Sequence, residues 1–159
     1  MRDDTSDRQT ILIVEPDDTI RDELSTAANR YNVITVHQVA TGIRAAQRHH
    51  PSVVLLSLET LDAPGLTVIV AFRSLYPDAS IIATTGNINL IRGAISTGAD
   101  DCVLVPISAD ELSQRIEVAM ARGVRPYARF YDIYDAMRGT LEEKREHDST
   151  ILVQAAPIG

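Results

Sequence analysis

Four short apolar runs recur along the chain, each rich in β-branched residues and followed by polar residues, and a fifth short run, Cys102-Val-Leu-Val105, precedes Pro106. Runs of this length and composition are typical of strands buried in a parallel sheet. Between the runs, apolar residues recur at helical spacing, as in Leu112, Ile116 and Met120, which follow a capping box formed by Ser108 and Glu111. The predicted strands are 11–14, 33–36, 53–57, 81–85 and 102–105.

This alternation of strands and helices predicts an α/β fold. Five β-α repeats with right-handed crossovers place helices on both faces of a doubly wound parallel sheet. We predict the flavodoxin-like strand order 2-1-3-4-5 for a domain over residues 10–122. The polar residues 1–9 are expected to form a disordered lead.

Residues 123–159 differ in character and are predicted to form an extra C-terminal amphipathic helix and a tail. The apolar face of this helix is expected to dock on its own domain or on a second copy of the chain, because exposure would leave a large apolar patch. Its members are Tyr127, Phe130, Tyr131, Tyr134 and Met137.

Composition excludes several classes of function. The net charge is −7 and the 15 basic residues are scattered, which argues against nucleic-acid binding. The single cysteine excludes an internal disulfide and a cysteine zinc cluster, and the histidines lack metal-ligand spacing. No glycine-rich phosphate loop and no apolar run of about 18 residues occurs. We therefore expect a soluble cytoplasmic protein without a metal or a cofactor.

Candidate chemistry lies just after the strands, because ligands of parallel sheets gather at the carboxyl ends of the strands. Glu15, Asp17 and Asp18 follow the first strand, Ser57 ends the third, and Thr85 ends the fourth. The three acids suit either capping of the first helix or residual metal binding. Ser57 suits a neutral strand-end residue better than a nucleophile, because it lacks a G-x-S-x-G turn.

Taken together, these segments resemble a response-regulator receiver domain of the CheY-like type. The resemblance covers about residues 10–122 and implies the same flavodoxin-like fold. It rests on Ile11-Leu-Ile-Val-Glu15, Pro51-Ser-Val-Val-Leu-Leu-Ser-Leu58, Gly65-Leu66, Thr85-Gly86, and Gly98-Ala-Asp-Asp101 followed by Pro106.

The chain departs from the receiver pattern at the positions that carry phosphotransfer. The resemblance implies a phospho-accepting Asp, a second acid that holds Mg²⁺, a lysine and a switch aromatic. This chain has Ser57, Pro16, Val105 and Cys102 at those positions, and Thr85 matches the switch residue. Because a carboxylate nucleophile, cation ligands and a phosphate-pairing charge are all lost, we predict a pseudo-receiver that is independent of phosphorylation and is not an enzyme.

The predicted function is therefore binding: a regulatory adaptor in two-component signalling that acts through protein–protein contacts, as a homodimer. Asp100, Asp101 and Arg115 resemble charges that receivers use to dimerise, although a solvated face explains them equally well. Residues 123–159 are too few for a winged helix, so direct nucleic-acid binding is not expected. Two alternatives stay open: a sensor that binds a small molecule in the degenerate cleft, and an enzyme on a flavodoxin-like sheet. Cys102 suits a buried apolar residue better than a redox sensor.

Overall fold

The computed structural model describes residues 8–63 and 65–122. They form a five-stranded parallel sheet in the order β2-β1-β3-β4-β5, which confirms the predicted fold class and topology. The elements in chain order are β1 (Thr10–Val14), α1 (Asp18–Ala27), β2 (Asn32–Val36), α2 (Val39–His49), β3 (Val53–Ser57), α3 (Thr67–Leu75), β4 (Ser80–Thr85), a 3₁₀ helix (Ile88–Leu90), α4 (Ile91–Thr97), β5 (Asp101–Leu104) and α5 (Ala109–Arg122).

Strands β3 and β4 are buried at every position because helices cover both faces of the sheet. In β1, Leu12 and Val14 pack in the core that contains Phe72 of α3, whereas Ile11 and Ile13 pack in the core on the other face. Helices α2, α3 and α4 contribute to the first core, and α1 and α5 contribute to the second. Alternation with a period of two therefore yields a continuous apolar run when both faces are covered.

Helix ends follow the predicted capping chemistry. The backbone N–H of Ile20 donates to Asp17 Oδ1 at 2.9 Å, and the N–H of Glu111 donates to Ser108 Oγ at 3.2 Å. Gly98 ends α4 with a φ of +130°, which only glycine adopts without strain.

Helix α2 is capped from a distance. Gln38, at its N-terminal boundary, makes no capping bond through its side chain. The N–H groups of Val39 and Ala40 instead donate to the two carboxylate oxygens of Asp62, each at 3.0 Å, from the loop after β3. This contact ties the β3–α3 loop to the start of α2.

Some predicted boundaries move or lie outside the described residues. Helix α1 ends at Ala27, and Tyr31 packs against the core from the turn that follows. Gln9, the last residue of the predicted disordered lead, accepts hydrogen bonds from Asn32 and Ser52 and is therefore attached to the sheet. Residues 1–7 of the predicted lead and the whole predicted segment 123–159 fall outside the described residues. Within residues 8–63 and 65–122, no helix combines the length and apolar character that crossing a membrane requires.

Candidate functional site

Three neighbouring strands bring predicted site residues to one edge of the sheet. Glu15 follows β1, Ser57 ends β3 and Thr85 ends β4, in the order in which these strands pair. All three are buried, with 3%, 1% and 0% of their surface exposed. A buried cluster of polar side chains at the carboxyl ends of parallel strands is the arrangement expected of a functional site. We call it, with Glu59 and Gly86, the strand-end cleft.

Glu59 is the member of the cleft that sequence reasoning missed. Its Oε1 accepts hydrogen bonds from Thr85 Oγ1 at 2.5 Å and from the N–H of Gly86 at 2.9 Å. Its Oε2 lies 3.4 Å from Ser57 Oγ, and its own N–H donates to Ser57 Oγ at 3.1 Å. Its position in the sequence could have identified it, because an acid two residues after the end of β3 lies at the same edge of the sheet as the other site residues.

Glu15 is a buried acid with one unsatisfied oxygen. Its Oε2 has no hydrogen-bond partner among the residues that the structure describes. Burial raises the pKa of Glu15, and the charges of Glu59 and Asp17 raise it further, against hydrogen bonds from Ser57 and the Asp17 backbone that lower it. Because Ser57 has one hydroxyl hydrogen and two carboxylates in reach, it can donate to only one of them at a time.

The other two acids after β1 bind at the start of α1. Asp17 caps the helix, and Asp18 forms an ion pair with Arg21 on the surface. Arg21 also donates to the backbone oxygen of Glu15 at 2.9 Å. These contacts agree with the capping interpretation of Asp17, place Asp18 in the first turn of α1, and leave Glu15 as the acid buried beside Ser57.

The remaining degenerate positions are apolar or weakly polar. Pro16 and Val105 are half-buried, and the N–H of Val105 donates to the backbone oxygen of Thr85 at 3.0 Å. Val105 therefore lies beside the cleft without bringing a charge to it. Cys102 is 7% exposed in β5, and burial, with the charges of Asp101 and Glu59, raises the pKa of its thiol to about 11. A thiol with so high a pKa stays protonated near neutral pH, in line with the interpretation of Cys102 as a buried apolar residue.

The donor set of the cleft does not fit the Mg²⁺ ion that the family resemblance implies. Mg²⁺ requires octahedral oxygen ligands, chiefly carboxylates. Pro16 and Ser57 offer no carboxylate, and the Oε1 of Glu59 is already bound by Thr85 and Gly86. No group of three or more His, Cys, Asp or Glu side chains within 8–63 and 65–122 is arranged to hold a metal ion.

The charges predicted to form an interface have partners within the chain. Asp100 is turned inward: its side chain is 4% exposed and its Oδ2 accepts from Arg73 at 2.8 Å and from the N–H of Ile81 at 2.8 Å. Arg115 binds both oxygens of Asp101, at 2.8 and 2.9 Å, and both side chains are partly exposed. The predicted interface members Tyr127, Phe130, Tyr131, Tyr134 and Met137 fall outside the described residues.

The fold and the cleft define a flavodoxin-like α/β domain with a polar site at the carboxyl ends of β1, β3 and β4. The response regulator receiver domain family matches residues 11–117, and the chain belongs to this family. The predicted CheY-like resemblance is thereby confirmed at the level of the family.

Among curated relatives, the transcriptional regulatory protein KdpE of Mycobacterium tuberculosis is 35% identical over 94 residues, which are 58% of this chain and 41% of KdpE. The chain spans between 41% and 53% of the length of the first curated relatives that it matches. Among solved structures, the signal receiver domain of a LuxO repressor protein from Vibrio parahaemolyticus is 25% identical with a TM-score of 0.65, covering 72% of this chain and 92% of that one. The BeF3-activated DrrB receiver domain has a TM-score of 0.65 at 20% identity, covering 72% and 98% of the two chains, and shows the fold alone.

Proposed function

We propose that the chain is an atypical response regulator whose receiver domain works without phosphorylation. In this proposal it is a cytoplasmic regulatory adaptor that acts through protein–protein contacts, as a homodimer, and is not an enzyme. The observation that carries the proposal is the make-up of the strand-end cleft. Ser57 stands at the carboxyl end of β3, with Glu59 folded over it and bonded to Thr85 and Gly86.

The chemistry of the cleft argues against phosphoryl transfer at two points. A neutral serine hydroxyl is a poorer nucleophile toward a phosphoryl group than the ionised carboxylate that receivers carry at this position. The nearby carboxylates would also repel an incoming phosphate dianion, since neither a lysine at 105 nor a suitable cation site offsets their charge.

A direct test is exposure of the purified protein to acetyl phosphate, and separately to beryllofluoride, each with Mg²⁺. We expect no phosphoprotein by intact mass and no shift of the Ser57 or Thr85 amides by NMR. The DrrB receiver domain, which has been solved in its BeF3-activated form, serves as the positive control for the second reagent. A phosphoprotein peak for the wild-type chain would refute the proposal.

Substitutions sharpen this test. Ser57→Asp alone should not restore phosphorylation, because the new carboxylate would lie beside Glu15 and Glu59 without a cation. The triple variant Pro16→Asp, Ser57→Asp, Val105→Lys restores all three lost groups and should regain measurable phosphorylation. If the single variant were phosphorylated as well as the triple variant, Pro16 and Val105 would not be limiting.

The adaptor and homodimer parts of the proposal draw support from the β5 edge of the sheet. Ile95 on α4, Leu104 on β5 and Val118 on α5 are large apolar side chains that are 39%, 37% and 50% exposed. The exposed Arg115–Asp101 pair belongs to the same elements. Apolar side chains with charged neighbours are typical of interfaces.

A charge substitution tests this edge. Val118→Glu should shift sedimentation toward the monomer, because a buried unpaired carboxylate is costly at an interface. Val70→Glu on α3 is the matched control, since Val70 is 52% exposed on a different face. A dimer that survives Val118→Glu would move the interface elsewhere, with residues 123–159 as the next region to test.

One observation favours the second candidate function, a receiver that senses a small molecule. The Oε2 atom of Glu15 is buried without a partner among the described residues, so a ligand with an N–H or O–H group could satisfy it. Native mass spectrometry of the purified protein separates the two functions. A bound small molecule that is lost in Glu15→Ala would favour the sensor, and a bare dimer mass would favour the adaptor.

A further inference from the structure

Two hydrogen-bond donors at the end of β4 converge on a single oxygen atom. Thr85 Oγ1 and the N–H of Gly86 both donate to Glu59 Oε1, at 2.5 and 2.9 Å. The N–H of Asn87 donates to Thr85 Oγ1 at 3.0 Å, so this hydroxyl accepts from one side and directs its hydrogen toward Glu59. A hydroxyl and a backbone N–H aimed at one point form a small site for an oxyanion, and bonds to a charged acceptor are the stronger kind.

Ser57 is neutral and is therefore compatible with the Glu59 carboxylate that occupies this site. Its Oγ accepts from the N–H of Glu59 at 3.1 Å and lies 3.4 Å from Glu59 Oε2, so it holds both the backbone and the side chain of Glu59. A carboxylate at position 57 would put two like charges at this spacing and would drive Glu59 out of the cleft. The neutral Ser57 and the acidic Glu59 are therefore compatible as a pair.

We propose that Glu59 is the built-in ligand of the strand-end cleft: its carboxylate occupies the oxyanion site of Thr85 and Gly86 and fixes the β4–α4 junction without any external ligand. The contact joins the loop after β3 to the loop that leads into the 3₁₀ helix and α4. The inference rests on the proposed function in one respect, since a receiver that is not phosphorylated needs another source of order at this junction.

The test follows the Gly86 amide in the ¹⁵N-labelled full-length chain, without any phosphodonor. In Glu59→Ala, hydrogen exchange at Gly86 should accelerate about tenfold or more, because the amide loses a charged acceptor. Glu59→Gln keeps the shape and one carbonyl acceptor, so its exchange rate should lie between those of the wild type and Glu59→Ala. Glu23→Ala, which removes an exposed acid from α1, is the matched control and should leave Gly86 unchanged.

Chemical rescue identifies the site as an anion site. Added formate, which is a carboxylate without a tether, should slow Gly86 exchange in Glu59→Ala in a saturable manner and should have no effect on the wild type. The proposal is overturned if Gly86 exchanges at the wild-type rate in Glu59→Ala. It is also overturned if formate has no effect on Glu59→Ala, or if formate binds equally well when Glu59 is present.

These readouts are independent of phosphotransfer. Uptake of phosphate by the wild-type chain would refute the proposed function and would leave the Gly86 measurements on the unmodified protein intact. Conversely, unchanged Gly86 exchange in Glu59→Ala would refute the proposal that Glu59 is a built-in ligand. It would not affect the conclusion about phosphotransfer. If Glu59→Ala failed to fold by circular dichroism, the comparison of Glu59→Gln with the wild type would carry the test.

Discussion

The two ends of the same sheet bury acids in opposite ways. At the amino ends of β4 and β5, Asp100 is paired with Arg73 at 2.8 Å and also accepts from a backbone N–H. Arg73 donates its other hydrogens to backbone oxygens, including those of Ala79 and Gly98, each at 2.8 Å. At the carboxyl ends, Glu15 is also buried but has one oxygen without a partner in the described part of the chain.

The difference separates a structural ion pair from a site. Burial of a charge is tolerated when hydrogen bonds satisfy the whole group, as they do around Arg73 and Asp100. An incompletely satisfied acid beside a second acid costs stability, and such groups concentrate where a protein binds or switches. The Arg73–Asp100 pair at the amino end of the sheet therefore stabilises the fold. At the carboxyl end, the incompletely satisfied Glu15 lowers stability and leaves an acceptor available for binding.

The largest expected effect on stability comes from removing the Arg73–Asp100 ion pair at the amino end of the sheet. Arg73→Ala should lower the free energy of unfolding by about 3–5 kcal/mol, because it removes the arginine charge that pairs with the inward-turned Asp100 carboxylate. Urea denaturation monitored by circular dichroism measures this loss. Arg115→Ala removes a similar but partly exposed ion pair with Asp101 and should cost less than about 1 kcal/mol. Equal losses in the two variants would show that burial does not distinguish the two pairs.

At the unsatisfied end, Glu15→Gln should stabilise the protein, in the opposite direction to Arg73→Ala. The pKa of Glu15 is raised by burial, so in the folded state it retains a proton that the unfolded chain releases above the ordinary pKa of 4.5. Its contribution to stability is present below that value and is lost as pH rises through the raised pKa. We expect a gain of about 1 kcal/mol at pH 8 and no difference near pH 4. A destabilised variant at pH 8 would mean that ionised Glu15 is satisfied in the native protein.

The sequence predicted the strands and the strand-end residues of the cleft better than the loop residues that contact them. Apolar runs fixed the strands to within a residue at each end, and strand ends identified Glu15, Ser57 and Thr85, because a parallel sheet gathers its strand ends at one edge. Glu59 and Asp62 were missed, since they lie in a loop without periodicity and their partners are distant in sequence. Only the folded loop determines that one acid turns into the cleft and the other turns toward α2.

Asp62 lies at the same end of the sheet as Glu15 and should show the opposite pH dependence. Burial alone would raise the pKa of Asp62, but hydrogen bonds from the backbone of Ala40, Val39 and Asp62 itself outweigh it and lower the pKa. Its contribution is therefore present above the ordinary pKa and is lost as pH falls through the lowered value. Asp62→Ala should cost about 1 kcal/mol at pH 7, as a lost N-cap does, and less at pH 3. Thermal melts at the two pH values measure the difference, and a cost that does not depend on pH would contradict the capping role.

The smallest expected effect links Cys102 to the charge of the cleft. With a pKa of about 11, the thiol is ionised to only about one part in a thousand at pH 8, so alkylation by iodoacetamide should be far slower in the native protein than in urea. Because the charge of Glu59 contributes to this pKa after burial and the charge of Asp101, Glu59→Gln should accelerate alkylation slightly, whereas Glu23→Gln on α1 should not. The rate should keep rising with pH well above the ordinary thiol range in both proteins. Native alkylation as fast as in urea would instead identify an exposed and reactive thiol, and the redox interpretation of Cys102 would then take precedence.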